Sequence, residues 1–489
     1  MSGSRRVVTV ATYAMLGGAV ALSARGVWAQ AAAAPQAEHK EIAVSEKVLD
    51  GYVGRYRLRP ELVVTMIRDG DHLYTQANDQ SPFELFAETP KDFFAKVNRL
   101  RITFVTDDQG KATAVVVHQP GGDVTANRIP DLTADAVKGQ CAQIDSMIAA
   151  EFAKHPVGSV TAGVVLGKEL VWTKSYGDAD MEKHVPADQD TIYRIGSITK
   201  MFTAVMLEQL VAAGKVHYTD AVDKYFPEID TVQGRYSWAP PVTFFELATH
   251  TSGLGREPDD TKTYVNGAVA DWEKTLIAAL PHTHYIYEPG THFSYSNIGY
   301  ATLGAALSRA AGEPYLEYVP KHIFEPLGMT ETSLVLTPKV RAHLSKGYDL
   351  LPDKVESETP DRENEQGRGY KVPNGAIYTT VGDLGRFASF LMGDGPDDVL
   401  SRMTLDKDLT GSAIQANFQL ESGYGIGTFV MRREGYTAFG HGGDVAGYQA
   451  ALYMNREKGV GVIVLANSIG FKGISTDDLA LKALDLLSK

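Results

Sequence analysis

Cysteine is almost missing from the 489-residue chain, with Cys141 the only one. A single thiol forms no intrachain disulfide and cannot supply a multi-thiolate metal site. Basic tracts are missing as well. With a net charge of −13 and dispersed Lys and Arg, neither nucleic acid nor an anionic membrane surface is the expected partner. No repeat with a period of roughly 20–50 residues occurs, which argues against solenoids and propellers. Beyond the first thirty residues nothing reads as a stable membrane span. What remains is an ordinary globular composition, 44% hydrophobic and 22% charged, with a length suited to two or three domains.

The first thirty residues read as a targeting segment. MSGSRR is a basic start, residues 7–24 are apolar, and Val27 and Ala29 stand at −3 and −1 of a cleavage point before Gln30. A retained membrane anchor is the competing reading, but the run is short and the cleavage site follows it. The expectation is a signal peptide at 1–29, a linker at 30–45 and a periplasmic or secreted mature protein. Export without disulfides fits either place. Arg5 and Arg6 hint at twin-arginine export without the rest of that pattern.

From residue 46 to 131 short alternating runs dominate. ELVVTMI closes at Asp69-Gly70, a hairpin signal, and RLRITFVT places Leu100, Ile102 and Phe104 on one face. These predict a small antiparallel β domain without a catalytic cluster. The segment 132–489 reads differently. A helix over 131–155 precedes strands SVTAGVVLG and ELVWTKSYGDAD; a helical middle spans about 215–400; strands YGIGTFVMR, YTAFGHGG, GYQAALYMN and GVGVIVLAN precede a final helix. The expected class is α+β: one antiparallel sheet built from both ends of the region, flanked by helices, with a helical subdomain inserted.

Three elements carry chemistry. RIGSITKMFTAV (194–205) holds Ser197 and Lys200 on adjacent turns of an expected helix, where i and i+3 share a face. A lysine desolvated there has a lowered pKa and can take the serine proton. Alone, the pair reads equally well as an N-cap serine and a solvated lysine. Tyr295-Ser296-Asn297 then places a phenol and an amide two residues apart. Tyr295 can sit as a phenolate or relay a proton, and Asn297 can position a substrate amide or the lysine. His441-Gly442-Gly443 lies at a strand end, where glycine lets a substrate backbone approach. The amides of Ser197 and Asp444 are candidate oxyanion donors. Other candidates fall away. Tyr264-Val265-Asn266 lacks the Pro-Gly and aromatic frame, His282 and His284 lack a third ligand, His250 reads as structural, and 353–369 reads as a solvated charged loop.

In this order and spacing the three elements resemble those of the penicillin-recognising serine hydrolases: class C β-lactamases, D-alanyl-D-alanine carboxypeptidases, D-aminopeptidases and β-lactamase-like esterases. FELATHTSGL (245–254) and VPNGAIYTTVGDLGRFASFL (372–391) are similar to further family segments. The resemblance implies Ser197 as nucleophile, Lys200 and Tyr295 as the proton-transfer pair, and Asn297, His441 and Gly443 as substrate-side groups. It implies no cofactor and no metal. Class C β-lactamases have lysine where His441 stands, which tilts the expected substrate towards esters, amides or short peptides. A penicillin-binding or peptidoglycan-sensing protein with little turnover is the alternative, with a β-lactamase beside it. The β domain resembles lipocalin-like modules that usually follow such hydrolases, whereas here it precedes.

Overall fold

Alternating apolar residues from Gly54 onward leave each strand with one face to bury, and the chain solves this by closing the sheet on itself. The computed structural model describes residues 40–489 apart from 60–61, 78–81, 397, 402–403, 406–413 and 416–421. The expected signal peptide and residues 30–39 of the linker therefore lie outside the described residues. The chain divides into two compact units that part near residue 130.

In the first unit a short helix, α1 (Glu46–Tyr52), leads into eight strands: β1 (Gly54–Arg59), β2 (Leu62–Asp69), β3 (His72–Ala77), β4 (Phe83–Ala87), β5 (Asp92–Phe94), β6 (Arg101–Thr106), β7 (Ala112–His118) and β8 (Val124–Arg128). They form a closed barrel in sequence order, with β8 pairing back onto β1 through Tyr56 and Arg128. A barrel of this strand number has an interior that side chains can fill. Tyr52 and Phe104 stack there at 4.0 Å between ring centroids, and Phe93 meets both edge-on.

In the second unit α2 (Ala134–Lys154) carries Val137, Cys141, Ile144 and Ile148 on one buried stripe. It packs on a nine-stranded antiparallel sheet drawn from both ends of the unit, as expected. The strands are β9 (Ser159–Leu166), β10 (Glu169–Asp180), β11 (Val185–Pro186), β12 (Ile414–Gln415), β13 (Ser422–Tyr424), β14 (Phe429–Arg433), β15 (Tyr436–Val445), β16 (Tyr448–Asn455) and β17 (Val460–Ala466). Their spatial order is β11-β10-β9-β17-β16-β15-β14-β13-β12. The run YGIGTFVMR, expected as one strand, is two short strands, because Gly427 turns the chain at φ +75°. β17 is buried along its whole length and lies between β9 and β16, which suits its run of Val, Ile and Leu.

Two helices of the middle region position the site. In α3 (Thr199–Ala212) every residue from Thr199 to Glu208 is buried, so this helix runs through the core rather than over it. α4 (Asn297–Ala311) is equally buried through Ser308, with Ser296 as its N-cap and Gly312 ending it at φ +73°. The charged segment 353–369 is not the solvated loop its composition predicts. It folds into α5 (Glu358–Gln366), and Glu363 turns inward to meet Arg194 at 3.3 Å and Arg368 at 3.0 Å. Arg194 is 1% exposed. A buried guanidinium needs a charged partner, and this demand outweighs the tendency of a charged run to face water.

Candidate active site

Ser197 sits in a single 3-10 turn, Gly196–Ile198, just before α3, and not in the α-helix itself. The turn is tight because Gly196 adopts φ +49°, and a Cβ there would lie 2.8 Å from the Asp444 amide nitrogen. Gly443 answers it from β15: a Cβ on Gly443 would overlap the Ile195 carbonyl oxygen and approach the Ser197 nitrogen to 3.0 Å. The room left by the missing Gly443 side chain is therefore taken by the serine turn. The same contact draws the Ser197 and Asp444 amides to one junction. Pairing of β15 with β14 ends at Gly440, so on that side His441 to Asp444 have no strand partner among the described residues.

Lys200, one turn on, is fully buried. Its Nζ lies 3.0 Å from Ser197 Oγ, 2.9 Å from Asn297 Oδ1 and 3.2 Å from the Asn374 carbonyl oxygen. The last two atoms only accept hydrogen bonds. A neutral amine spends its two hydrogens on them and turns its lone pair to the serine hydroxyl. Burial, followed by the nearby Arg256 charge, holds Lys200 well below the usual lysine range, so the neutral form is accessible. The Asn297 amide is oriented from its other side, where Nδ2 donates to Glu257 Oε1 at 2.7 Å. Lys371 donates to the same carboxylate oxygen at 2.9 Å, and Tyr370 donates to the other. Asn374 Nδ2 donates to the Asn297 carbonyl at 3.0 Å, closing the frame.

Tyr295 lies in the loop before α4, while Asn297 is the first residue of that helix. The Tyr295 phenol hydrogen-bonds the serine hydroxyl, and burial raises its pKa despite that bond. The phenolate form considered from sequence is thus disfavoured, and Tyr295 carries its proton. His250 holds this loop. At φ +58° its carbonyl accepts from Ser294 N–H at 2.7 Å, while its Nδ1 accepts from Ser296 N–H at 3.0 Å. The two bonds flank Tyr295, whose ring centroid is 4.2 Å from the imidazole. The expectation of a structural His250 fits this geometry.

His441 is 2% exposed. Tyr424 O–H lies 3.0 Å from its Nε2, and its Nδ1 meets the Gly442 carbonyl, so both ring nitrogens are engaged within the protein. Burial lowers its pKa to about 3, leaving it neutral. Ser197, Glu257, Tyr295, Asn297, Lys371, Asn374, His441 and Asp444 border one cleft of about 440 Å³, together with Arg256, Arg368, Phe293, Phe429, Tyr453 and Asp477, while Lys200 and His250 are fully buried. Tyr264, Asn266, His282 and His284 are not among its lining residues, whereas Arg368, from the segment 353–369 expected as a solvated loop, is. His284 pairs with Asp259 at 3.0 Å, His282 stacks on Tyr264, and no cluster of three metal-ligating side chains occurs among the described residues.

The beta-lactamase family profile matches residues 144–485, which include every group just described. The chain belongs to the beta-lactamase family. A domain of unknown function (DUF3471) matches residues 38–132, covering the barrel. Beta-lactamase-like protein 2 of Dictyostelium discoideum is 30% identical over 329 residues, 66% of this chain and 58% of that protein. Protein flp of Staphylococcus aureus is 26% identical over 328 residues, 66% of this chain and 62% of that one, so the chain spans about three-fifths of these relatives. Among solved structures, the octameric penicillin-binding protein homologue from Pyrococcus abyssi superposes with a TM-score of 0.60 at 26% identity, covering 71% of this chain and 77% of that one. The family resemblance carried by S-x-x-K, Y-S-N and H-G-G thus holds.

Sequence reasoning overlooked Arg256, Glu257 and Asn374. Asn374 lies inside the family-like segment 372–391, and Arg256 and Glu257 follow the segment 245–254 after Gly255. Both stretches were legible, but neither shows which residue turns inward.

Proposed function

We propose that the chain is an exported serine hydrolase that cleaves an ester or amide through an acyl-enzyme on Ser197. The observation that carries this reading is the coordination of Lys200, whose two obligate acceptors leave its lone pair for the serine proton. Ser197 Oγ attacks the substrate carbonyl carbon as its proton passes to Lys200 Nζ. The Ser197 and Asp444 amides stabilise the oxyanion. As the tetrahedral intermediate collapses, the bond to the leaving alkoxide or amine breaks, and Tyr295 and Lys200 return the proton to it. Water then attacks the acyl carbon, and the acid departs with Ser197 Oγ reprotonated. The free edge at 441–444 suits an extended substrate backbone, with Asn297 and His441 bordering it.

An ester or amide substrate fits better than a β-lactam, because His441, standing where class C β-lactamases have lysine, is neutral and supplies no cation from that position. The amide arm draws support from a solved D-stereospecific amidohydrolase of Streptomyces sp. that shares the fold, with a TM-score of 0.55 at 24% identity over 67% of this chain and 94% of that one. Export rests on the sequence of residues 1–29 alone; no described helix is long and apolar enough to cross a membrane. A panel of short-chain p-nitrophenyl esters, D-amino-acid amides, a D-Ala-D-Ala peptide and a chromogenic cephalosporin tests the reading. Turnover of an ester or amide that vanishes in Ser197→Ala supports it, and turnover of the cephalosporin alone overturns the substrate assignment.

A second reading, acylation with little turnover, is favoured by one observation. Burial holds Tyr295 protonated, which weakens it as the base for the water that would release the acyl group. A burst followed by a persistent adduct distinguishes it from steady hydrolysis.

A further inference from the structure

The cleft holds one cation whose task the proton-transfer scheme does not state. Arg256 is exposed at the cleft, and its guanidinium carbon lies 4.8 Å from the Tyr295 ring centroid, as far as Lys200 Nζ does. Its backbone is fixed, because its carbonyl accepts from Asn297 N–H at 2.9 Å at the start of α4. Its side chain makes no ion pair or hydrogen bond among those described.

The other charges facing Lys200 and Tyr295 are offset or absent. Lys371 pairs with Glu257 and Arg368 with Glu363, at 2.9 and 3.0 Å. On the strand side, Asp444 opposes Arg256, and its carboxyl is itself pushed up by burial. His441 and His250 are both held neutral by burial. Tyr300, Tyr424 and Tyr453 are pushed above the ordinary phenol range by burial, and burial, followed by the Asp444 charge, pushes Asp477 up to about 6. Among the described residues, Arg256 is thus the cation at the catalytic pair that makes no ion pair with a carboxylate.

We infer that Arg256 is a positioning residue that activates Ser197 electrostatically, through the shared proton of Lys200 and Tyr295. The inference rests on Ser197 being the nucleophile. The pair is competent after losing one proton, whether it leaves the amine or the phenol. A fixed cation beside the pair favours that loss in either case, and its charge lowers both groups. Its guanidinium carbon lies 4.8 Å from the Tyr295 ring centroid, and a unit charge at about that separation, at an effective dielectric of about 60 for a solvent-facing group, moves a pKa by roughly one unit.

The test is the pH dependence of Ser197 labelling by an alkyl fluorophosphonate, in which an Oγ–P bond forms and fluoride leaves. This readout needs no knowledge of the substrate. In Arg256→Gln the acid limb of the labelling rate should move to higher pH by about one unit. Arg256→Lys should keep it near the wild-type position. Added salt should shrink the difference between wild type and Arg256→Gln. Because the side chain is exposed and its backbone carbonyl survives substitution, these variants should fold, which circular dichroism checks. An unmoved limb in Arg256→Gln overturns the inference. So does an unmoved limb with KM raised only for anionic substrates, which would make Arg256 a substrate anchor. Wild-type protein that is never labelled at Ser197 would instead overturn the serine-hydrolase reading beneath it.

Discussion

Lys200 is fully buried with no carboxylate partner among the described residues, and its three contacts leave it one productive state: a neutral amine facing Ser197 Oγ. Lys200→Met should therefore lower kcat by roughly 10²–10⁴-fold, the usual worth of a positioned general base, while leaving KM nearly unchanged. Steady-state kinetics on an ester substrate check this. Glu257→Gln is a subtler change. A carboxylate only accepts hydrogen bonds and fixes which way Asn297 faces, whereas a glutamine amide can turn either way. The substitution should lower kcat about tenfold, as expected when one oriented hydrogen bond is lost. Glu257→Ala should cost more, because it also strands Lys371. At this scale the sequence was most legible for groups that sit together in short motifs, Ser197 with Lys200 and Tyr295 with Asn297. It was silent on Asn374, because a backbone carbonyl that accepts from a lysine leaves no trace in residue type.

At the scale of elements, β15 and the serine turn are built for contact. Gly443→Ala should disrupt both, since the new methyl overlaps the Ile195 carbonyl and crowds the Ser197 amide. The expected result is a loss of labelling at Ser197 larger than the loss of thermal stability, measured by fluorophosphonate labelling beside a melting curve. Helix α5 makes a different demand. Glu363 is shared by two buried guanidiniums, Arg194 and Arg368. Glu363→Ala leaves both without their carboxylate and should destabilise the protein by about 3–5 kcal/mol in urea unfolding. Strand and helix types followed from periodicity, so the sheet built from both ends of the unit was foreseeable. α5 was not, because DKVESETPDRENEQGRG carries no apolar stripe and its inward residue is a charged one. Only the position of Arg194 and Arg368 explains why Glu363 turns in.

For the whole molecule, pH acts on stability through buried histidine. The folded pKa of His441 is lowered to about 3 from an ordinary 6.5. Above the higher value both states are neutral there and the residue contributes no pH dependence. As pH falls below it, the unfolded chain binds a proton that the folded chain refuses, so stability drops until the folded pKa is reached. His441→Gln should remove part of this sensitivity. Between about pH 7.5 and 4.5 the wild type should lose roughly 2–3 kcal/mol more than the variant, measured by urea unfolding. Equal losses would place the acid sensitivity elsewhere, for instance at His250, which burial also holds neutral.

The central claim, that Ser197 is a nucleophile activated by Lys200, is tested most directly by intact mass and peptide mapping after exposure to a fluorophosphonate. One adduct on the peptide that carries Ser197 is predicted in the wild type, with none in Ser197→Ala and slow labelling in Lys200→Met. Labelling of Ser197→Ala as fast as wild type, or an adduct mapped to another residue, would contradict it.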